Sequence, residues 1–427
     1  MLTEGDVIQV AVDKPAAGGR MIARHDGRVV LVLGAIPGER VDVRVERVEK
    51  RLAFASVVRV EEGSADRREP DGDVRCGGCL YAHIDYARQL ALKSDVIGDG
   101  FARIGRMALD RPVEVAASPE LGHRMRARLH VAAGRAGYYL EGTHEICDPR
   151  LTGQLLPATL AAIDELLRLL HDARLTPVSI EVAENVAADE RAFQIEMAPG
   201  VRLTMDPTAL ESSEHYNGFI LRTGAGELVS AGTPIVSDPL TALTGDAAIA
   251  GRLARRPGSF FQANRFLVSQ LVKAVADAVP VESESVLDLY AGVGLFSVSL
   301  AARGRAEVTA VEGDASSAAD LRTNAGPFSA TLRTVVRSVE DFLSSNRRQY
   351  STVVVDPPRT GVSSVALAAI VERRARRIVY VSCDPPTLAR DARRLLDTGY
   401  RLQSLRGFDL FPNTPHVEVV GVFDLAT

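Results

Sequence analysis

Residues 286–294, Val286-Leu-Asp-Leu-Tyr-Ala-Gly292-Val-Gly294, decide the fold of this 427-residue chain. The apolar run at their start is typical of a buried strand, and residues 295–301 continue as an apolar helix. The two glycines between them let the backbone turn sharply and approach a ligand closely. Because Ser297 stands where a dinucleotide-binding loop has its third glycine, the loop by itself is weak evidence for any one nucleotide.

Strands alternate with helices around this loop, which predicts a doubly wound, Rossmann-like α/β domain over residues 251–427. The second strand ends in Glu312, whose carboxylate can accept hydrogen bonds from ribose hydroxyls. We expect a third strand at 350–355, followed by a rigid Asp356-Pro-Pro-Arg turn where such sheets bind ligands. Asp341 has two open interpretations, an adenine contact or an acid at a helix N-terminus.

Two further residues at strand ends carry chemistry. The expected strand 378–382 ends in Cys383, which Asp-Pro-Pro follows. A lone cysteine is usually a small buried hydrophobe, but a strand tip beside a polar turn favours a reactive thiol. Near the end of the sequence, Glu418 lies between two valines and shares a strand face with His416, so we favour a functional carboxylate over a surface one.

A thiol and a carboxylate in one crevice fit the methylation of uracil at carbon 5. That carbon is a weak nucleophile, but addition of the Cys383 thiolate to carbon 6 makes an enolate that carries negative charge to it. After carbon 5 has taken a methyl group, Glu418 removes its proton and the thiolate leaves. An ordinary thiol, with a pKa near ~8.5, is only slightly ionised at neutral pH, so local activation would help.

The sequence resembles the uracil-C5 RNA methyltransferase family across nearly its whole length, in five segments. They are Gly258-Ser-Phe-Phe-Gln262-Ala-Asn264, Asp288–Gly294, Asp356-Pro-Pro-Arg-Thr-Gly361, Ser382-Cys383-Asp-Pro and Phe411-Pro-Asn-Thr-Pro-His-Val-Glu418. The resemblance implies S-adenosylmethionine as cofactor, Cys383 as nucleophile and Glu418 as proton acceptor. The expected cofactor contacts, from the resemblance and the loop together, are Gln262, Tyr290, Gly292, Gly294, Glu312, Asp341 and Asp356.

Short strands punctuated by turns characterise residues 1–60, as in the alternating run Val41-Asp-Val-Arg-Val45, and predict a small barrel of the oligonucleotide-binding type. Residues 19–24 and 34–39 resemble the TRAM domain that many family members carry for RNA binding. We therefore expect an α/β protein with this barrel at 1–60 and a central α+β domain at 61–250. A Rossmann-like methyltransferase domain follows at 251–427, and within the central domain the apolar spacing predicts a helix over 158–171.

A cysteine segment resembles the iron–sulfur site of some family members, which is usually C-x5-C-x2-C…C. The ligands it predicts here are Cys76, Cys79 and Cys147. The first position of that pattern falls on Pro70, so Asp71 or Asp73 replaces the missing thiolate, or the cluster is labile, or none forms. A zinc site that includes His83 is also chemically feasible. We favour a [4Fe–4S] cluster with a structural role.

RNA contacts are expected from the alternating stretch Arg124-Met-Arg126-Ala-Arg128-Leu-His. As a strand it presents the basic side chains on one face, which suits phosphates better than a merely solvated face does. The net charge of −5 does not exclude an RNA partner, because residues 151–250 hold 14 acidic against 5 basic residues and account for the excess acid.

Other functions remain in competition with this one. They are cytosine-C5 methylation, uridine-54 methylation of transfer RNA, and a non-catalytic RNA-binding or RNA-folding role. By analogy the TRAM-like segment and the cysteines favour 23S ribosomal RNA as the substrate. With four cysteines and no long apolar run, we expect a cytoplasmic protein that has no membrane segment. Nothing in the sequence indicates an oligomer, and a monomer is taken as the default.

Overall fold

The computed structural model describes residues 2–200, 213–304 and 306–426, so residues 201–212 of the predicted central domain lie outside the described part. The N-terminal strands form a closed barrel in the order β1-β2-β3-β5-β4. Their bounds are β1 Val7–Pro15, β2 Met21–His25, β3 Arg28–Leu33, β4 Arg40–Val48 and β5 Leu52–Glu62. Val41, Val43 and Val45 of β4 point into the barrel and are at most 2% exposed. The predicted small barrel is confirmed.

Helix α1, Tyr86–Arg103, follows the barrel and begins at Asp85, whose carboxylate accepts a hydrogen bond from the Ala87 N–H. Its Ile97 and Phe101 are fully buried in the core of the C-terminal sheet. The short strand β6, Val115–Ala116, then joins that same sheet as its edge strand. Part of the predicted central segment therefore packs as a component of the C-terminal half.

The central region is a seven-stranded sheet in the order β13-β12-β11-β10-β7-β8-β9. Its bounds are β7 Arg126–Ala132, β8 Arg135–Tyr139, β9 Ile146–Cys147, β10 Pro177–Glu184, β11 Arg191–Met197, β12 Gly218–Arg222 and β13 Leu228–Gly232. Helix α2, Pro157–Asp172, covers it with Ile163, Leu166 and Leu170, as its spacing predicts. A ribbon leads onward through β14 Val236–Pro239, α3 Leu240–Thr244 and β15 Arg252–Arg255.

The C-terminal sheet has eight strands in the order β18-β17-β16-β19-β20-β22-β21-β6. Its strands are β16 Ser285–Leu289, β17 Glu307–Glu312, β18 Leu332–Val336, β19 Thr352–Val355, β20 Arg377–Ser382, β21 Tyr400–Phe408 and β22 Glu418–Leu425. Its helices are α4 Val268–Ala278, α5 Leu295–Ala302, α6 Ala315–Ala325, α7 Val339–Ser345, α8 Ser364–Glu372 and α9 Pro385–Asp397. The strand expected at 350–355 as the third of this domain is β19, the fourth along the chain, because β18 comes before it. The Rossmann-like fold is confirmed.

The order of the strands places the ligand crevice. Strands β16 to β20 are parallel. Strands β17 and β18 lie on one side of β16 and strands β19 and β20 on the other, so the strand order reverses between β16 and β19. Open α/β sheets bind ligands beyond the carboxyl ends of the strands at such a point. Across the described residues, no helix is both long enough and apolar enough to cross a membrane.

Candidate active site

A cleft of about 830 Å³ lies beyond the carboxyl ends of β16, β19 and β20, and β7 and β8 of the central sheet form its opposite wall. The predicted site residues that line it are Arg124, Arg126, Arg128, Gln262, Tyr290, Gly292, Glu312, Asp356, Cys383 and Glu418. Two predicted cofactor contacts, Gly294 and Asp341, do not line it. The structure therefore brings together residues from both the central and the C-terminal sheets.

The loop after β16 is shaped by backbone angles that favour glycine. Gly292 has φ 56°, and a Cβ added there would find its nearest neighbour, the Phe260 carbonyl oxygen, 3.8 Å away, so the backbone is open to a ligand. Gly294 has φ 98° and faces the protein instead, since a Cβ would lie 2.8 Å from Leu321 Cδ1 and 2.9 Å from Val298 Cγ2. Gly294 thus allows the close approach of α5 and α6 and takes no direct part in the cleft.

Glu312 is fixed at the end of β17 by two backbone groups. Its Oε2 accepts a hydrogen bond from the Gly292 N–H at 2.7 Å, and its Oε1 accepts one from the Asp314 N–H at 2.6 Å. Each carboxylate oxygen keeps a lone pair for a further donor. A fixed acceptor at this strand end suits vicinal hydroxyls of a ribose.

Asp356 and Asp341 differ in their surroundings. Asp356 is half-buried at the cleft and accepts a hydrogen bond from Gln262 Nε2 at 3.2 Å. Burial raises the pKa of Asp356 to about 7, against the opposing effect of the Gln262 hydrogen bond. Asp341 is exposed in the first turn of α7, where its N–H donates to Ser338 Oγ at 3.1 Å. The interpretation of Asp341 as a helix N-terminal acid therefore fits its position, and the adenine contact stays a prediction.

Cys383 and Glu418 are neighbours because β20 and β22 run side by side. Ser382 of β20 pairs with Val419 of β22. Because the two strands are antiparallel, Cys383, the residue after Ser382, lies opposite Glu418, the residue before Val419. The pKa of the Cys383 thiol is raised to about 12, first by burial and next by the Glu418 carboxylate, against the opposing effect of the Arg359 guanidinium. Burial, followed by the nearby Asp356, holds the pKa of Glu418 well above its ordinary value. At neutral pH the Cys383 thiol is therefore protonated before a ligand binds.

The segment before Glu418 supplies three more lining side chains, Phe411, Thr414 and His416. Burial, and next the Arg359 charge, lower the pKa of His416 to about 4, so its imidazole is neutral at physiological pH. The ring lies edge-on to Phe411, with 6.0 Å between the ring centroids.

The three predicted RNA-contacting arginines share one face, as expected, and this face is the inner wall of the cleft. Arg124 Nη1 donates to Gln154 Oε1 at 2.7 Å, and Arg126 is paired with Glu181. The alternate side chains Met125, Ala127 and Leu129 are buried, which confirms the alternation.

Several cleft residues were not singled out from the sequence. They are Tyr138, Tyr139, Phe260, Asp314, Ser317 and Thr414. Tyr139 stacks on His130 with 3.6 Å between ring centroids and 12° between planes. Phe260 is 54% exposed, which is unusual for so apolar a side chain. The adjacent Tyr138 and Tyr139, a few residues after the basic stretch, were the available signal, since aromatic side chains stack on unpaired bases.

The cysteine segment departs from the predicted cluster. Cys76 and Cys147 form a disulfide, and Cys79 is buried and free. Burial, with Asp73 and Asp71 adding to it, raises the pKa of the Cys79 thiol to about 11. Nowhere in the described ranges do three or more His, Cys, Asp or Glu side chains form a group that could hold a metal ion.

The predicted metal ligands therefore do not fit a [4Fe–4S] cluster, because two of the thiols are bonded to each other and Pro70 occupies the place of a fourth. The zinc alternative fails for the same reason, since the Cys76 and Cys147 thiols are bonded to each other and no described group of three or more possible ligands includes His83.

Comparisons with known proteins agree on one family. Residues 249–425 match the family described as tRNA (Uracil-5-)-methyltransferase, and residues 2–58 match the TRAM domain. An RNA methyltransferase of Corynebacterium glutamicum without an assigned target is 33% identical, over 99% of this chain and 98% of its own. The 23S rRNA (uracil(1939)-C(5))-methyltransferase RlmD of Pseudomonas putida is 32% identical, over 97% and 92%. The Pyrococcus abyssi tRNA (uracil-54, C5)-methyltransferase, solved with S-adenosyl-L-homocysteine, superposes with a TM-score of 0.76 at 25% identity, over 97% and 99%.

Proposed function

The chain belongs to the uracil-C5 RNA methyltransferase family, and we propose that it methylates carbon 5 of a uridine in 23S ribosomal RNA, using S-adenosylmethionine. The observation that carries the proposal is the pairing of β20 with β22, which sets a thiol and a carboxyl side by side in the cleft. Carbon-5 methylation needs both groups, one to add to the ring and one to remove a proton.

Five cleft residues would hold the cofactor, namely Gln262, Tyr290, Gly292, Glu312 and Asp356. Their chemistry fits, because Glu312 offers fixed acceptors for the ribose and Gly292 opens the backbone to close contact. When bound, S-adenosylmethionine supplies an electrophilic methyl group on a positively charged sulfur. The pKa of the half-buried Asp356 is raised to about 7, and a positive charge bound beside it would lower that pKa and favour the ionised carboxylate.

Cys383 begins the reaction on the uracil ring. Its thiolate forms a bond to carbon 6, and the electron pair of the 5,6 double bond moves towards oxygen 4. Carbon 5 would then form its bond to the methyl group, and the bond between that methyl and the cofactor sulfur would break, with its electron pair left on the sulfur. Arg359 is the positive charge that lowers the pKa values of both Cys383 and Glu418, so it favours the thiolate and the carboxylate.

Glu418 completes the reaction. Its carboxylate accepts the proton from carbon 5, the double bond reforms and the sulfur–carbon bond breaks, which restores Cys383. Burial makes the carboxylate a stronger base than an exposed one, since its pKa is held well above the ordinary value. The proton that Cys383 loses at the start is returned to it, and the proton from carbon 5 leaves through Glu418.

Recognition of the RNA would fall to the basic wall of the cleft, Arg124, Arg126 and Arg128, with aromatic side chains beside it. The preference for 23S ribosomal RNA rests on relatives that are named for this activity, such as the Pseudomonas putida protein. A transfer-RNA uridine is the second candidate, because the Pyrococcus abyssi protein is named as a transfer-RNA methyltransferase. No iron–sulfur cluster enters the proposal.

Release of tritium from RNA labelled at uridine carbon 5 tests the function. Purified protein with S-adenosylmethionine should release tritium from unmodified 23S ribosomal RNA, and Cys383→Ala should release none. Release from transfer RNA alone would establish the second candidate. Methyl transfer to RNA without tritium release would refute carbon-5 chemistry.

A further inference from the structure

The nine residues 409–417, here called the base loop, join the end of β21 to Glu418, the first residue of β22. The base loop carries three cleft-lining side chains, Phe411, Thr414 and His416. It is longer than the two- to five-residue turns that usually fix the geometry of neighbouring antiparallel strands. Its position, and that of Glu418 directly after it, must therefore come from contacts with other elements.

Asn413 at the centre of the base loop is held by a buried glutamine of α1. The Asn413 N–H donates to Gln89 Oε1 at 2.9 Å, and Gln89 Nε2 donates back to Asn413 Oδ1 at 2.9 Å. The Asn413 carbonyl also accepts a hydrogen bond from the Tyr81 N–H at 2.9 Å. Asn413 has φ 63°, a conformation that non-glycine residues keep when surrounding contacts enforce it.

Lys93, one turn further along α1, holds the start of the same loop. Its Nζ donates to Asp409 Oδ1 at 2.5 Å and to the Phe411 carbonyl oxygen at 3.2 Å. The side chains of Lys93 and Asp409 are both fully buried. A buried ion pair of this kind adds little stability compared with apolar packing, but it fixes which groups lie together.

The other end of α1 packs on the helix that follows the nucleophile. Helix α9 begins directly after Cys383, at Asp384. A Cβ on Gly100 of α1 would lie 3.6 Å from the Pro385 carbonyl oxygen and 3.8 Å from Ala389 Cβ, so the two helices are in close contact. Helix α1 therefore contacts both α9, which follows Cys383, and the base loop, which precedes Glu418.

We propose that α1 sets the position of the proton acceptor relative to the nucleophile, and that Gln89 and Lys93 are positioning residues for the elimination step. The inference rests on the proposed carbon-5 methylation. Addition of Cys383 to carbon 6 needs the thiolate and the ring, whereas breaking that bond again needs Glu418 to take the carbon-5 proton. A displaced base loop therefore slows removal of the carbon-5 proton and breaking of the sulfur–carbon bond more than it slows addition. The covalent protein–RNA adduct then accumulates.

The test is the ratio of covalent adduct to methylated product, measured on denaturing gels with unmodified 23S ribosomal RNA and labelled S-adenosylmethionine. We expect Gln89→Leu, which keeps the side-chain volume, to raise this ratio about tenfold, since a displacement of ~1 Å can cost about 100-fold in rate. Formation of the adduct should change less than threefold. Lys93→Met should also raise the ratio of adduct to product. Glu418→Gln gives the ratio that is reached when the proton-accepting carboxylate is absent.

The matched control is Tyr400→Phe, which removes one buried hydrogen bond, from the Tyr400 hydroxyl to the Ala375 carbonyl at 2.9 Å, away from the cleft. A wild-type ratio in this variant, together with a raised ratio in Gln89→Leu, supports the inference. Parallel loss of adduct and product in Gln89→Leu, or a ratio equal to that of the control, overturns it while the proposed function stands. A wild-type protein that methylates no uridine refutes the proposed function and the inference with it.

Discussion

Replacing Arg359 with methionine should make Cys383 a much weaker nucleophile. With a thiol pKa of about 12, roughly 3 in 100,000 molecules carry the thiolate at pH 7.5. Arg359 is the group that lowers this pKa, against burial and Glu418, which raise it. Arg359 is exposed, so solvent screens its charge; we expect its loss to raise the thiol pKa near the low end of the ~1–3 units that an opposite charge contributes, and the thiolate population to fall about tenfold.

Alkylation by iodoacetamide measures this directly, because only the thiolate reacts. The rate at Cys383, followed by mass spectrometry, should rise about tenfold per pH unit from pH 6 to 9 in the wild-type protein, since the group stays far below its pKa. Cys79 is an internal control that should stay unmodified in the folded protein, because its thiol is buried and out of reach of the reagent. Arg359→Lys keeps the charge and should lie close to wild type. Equal rates in wild type and Arg359→Met, or a wild-type rate that levels off below pH 9, would refute the reasoning.

Three further predictions concern stability and redox state. Burial raises the pKa of Asp288 to about 8, so the ionised form opposes folding and wild-type stability falls as pH rises from about 4 towards 8. Asp288→Asn should therefore gain about 1.4 kcal/mol in unfolding free energy relative to wild type for each pH unit in that window, measured by urea unfolding; a gap that is constant with pH contradicts this. Gly294→Ala should cost about 2–5 kcal/mol in the same assay, from the left-handed φ and the contacts with Leu321 and Val298, and a loss below about 1 kcal/mol would be inconsistent. Titration of denatured protein should find two thiols without reductant and four after reduction, because Cys76 and Cys147 are bonded; four in both cases would exclude the disulfide.

The parts of the site that follow from local sequence could be predicted. Cys383 and Glu418 stand at strand ends, and strand ends in this fold meet at one crevice, so their proximity follows from the pattern. The alternation at 126–132 likewise identified one basic face, because a strand sends successive side chains to opposite sides.

The sequence pattern does not show which elements pack against each other. The periodicity of α1 shows an apolar face but not that it lies against α9, and Gln89 and Lys93 become visible only once the base loop is in place. Asp341 sits in a segment whose local sequence fits a helix N-terminus and a ligand contact equally well. The Cys76–Cys147 bond joins two distant segments, and spacing alone does not determine such a pairing.

The two-residue strand β6 has a consequence for how the chain can be divided. Val115 and Ala116 pair with Gly407 and Phe408 and cover the outer side of β21 there. A fragment that begins at residue 249, where the family match starts, would leave these backbone N–H and C=O groups open, and open strand edges recruit other chains. We expect such a fragment to aggregate in solution, and to remain soluble when a peptide spanning 86–116 is expressed with it. The first half of the chain thus protects the catalytic sheet from self-association as well as contributing to its cleft.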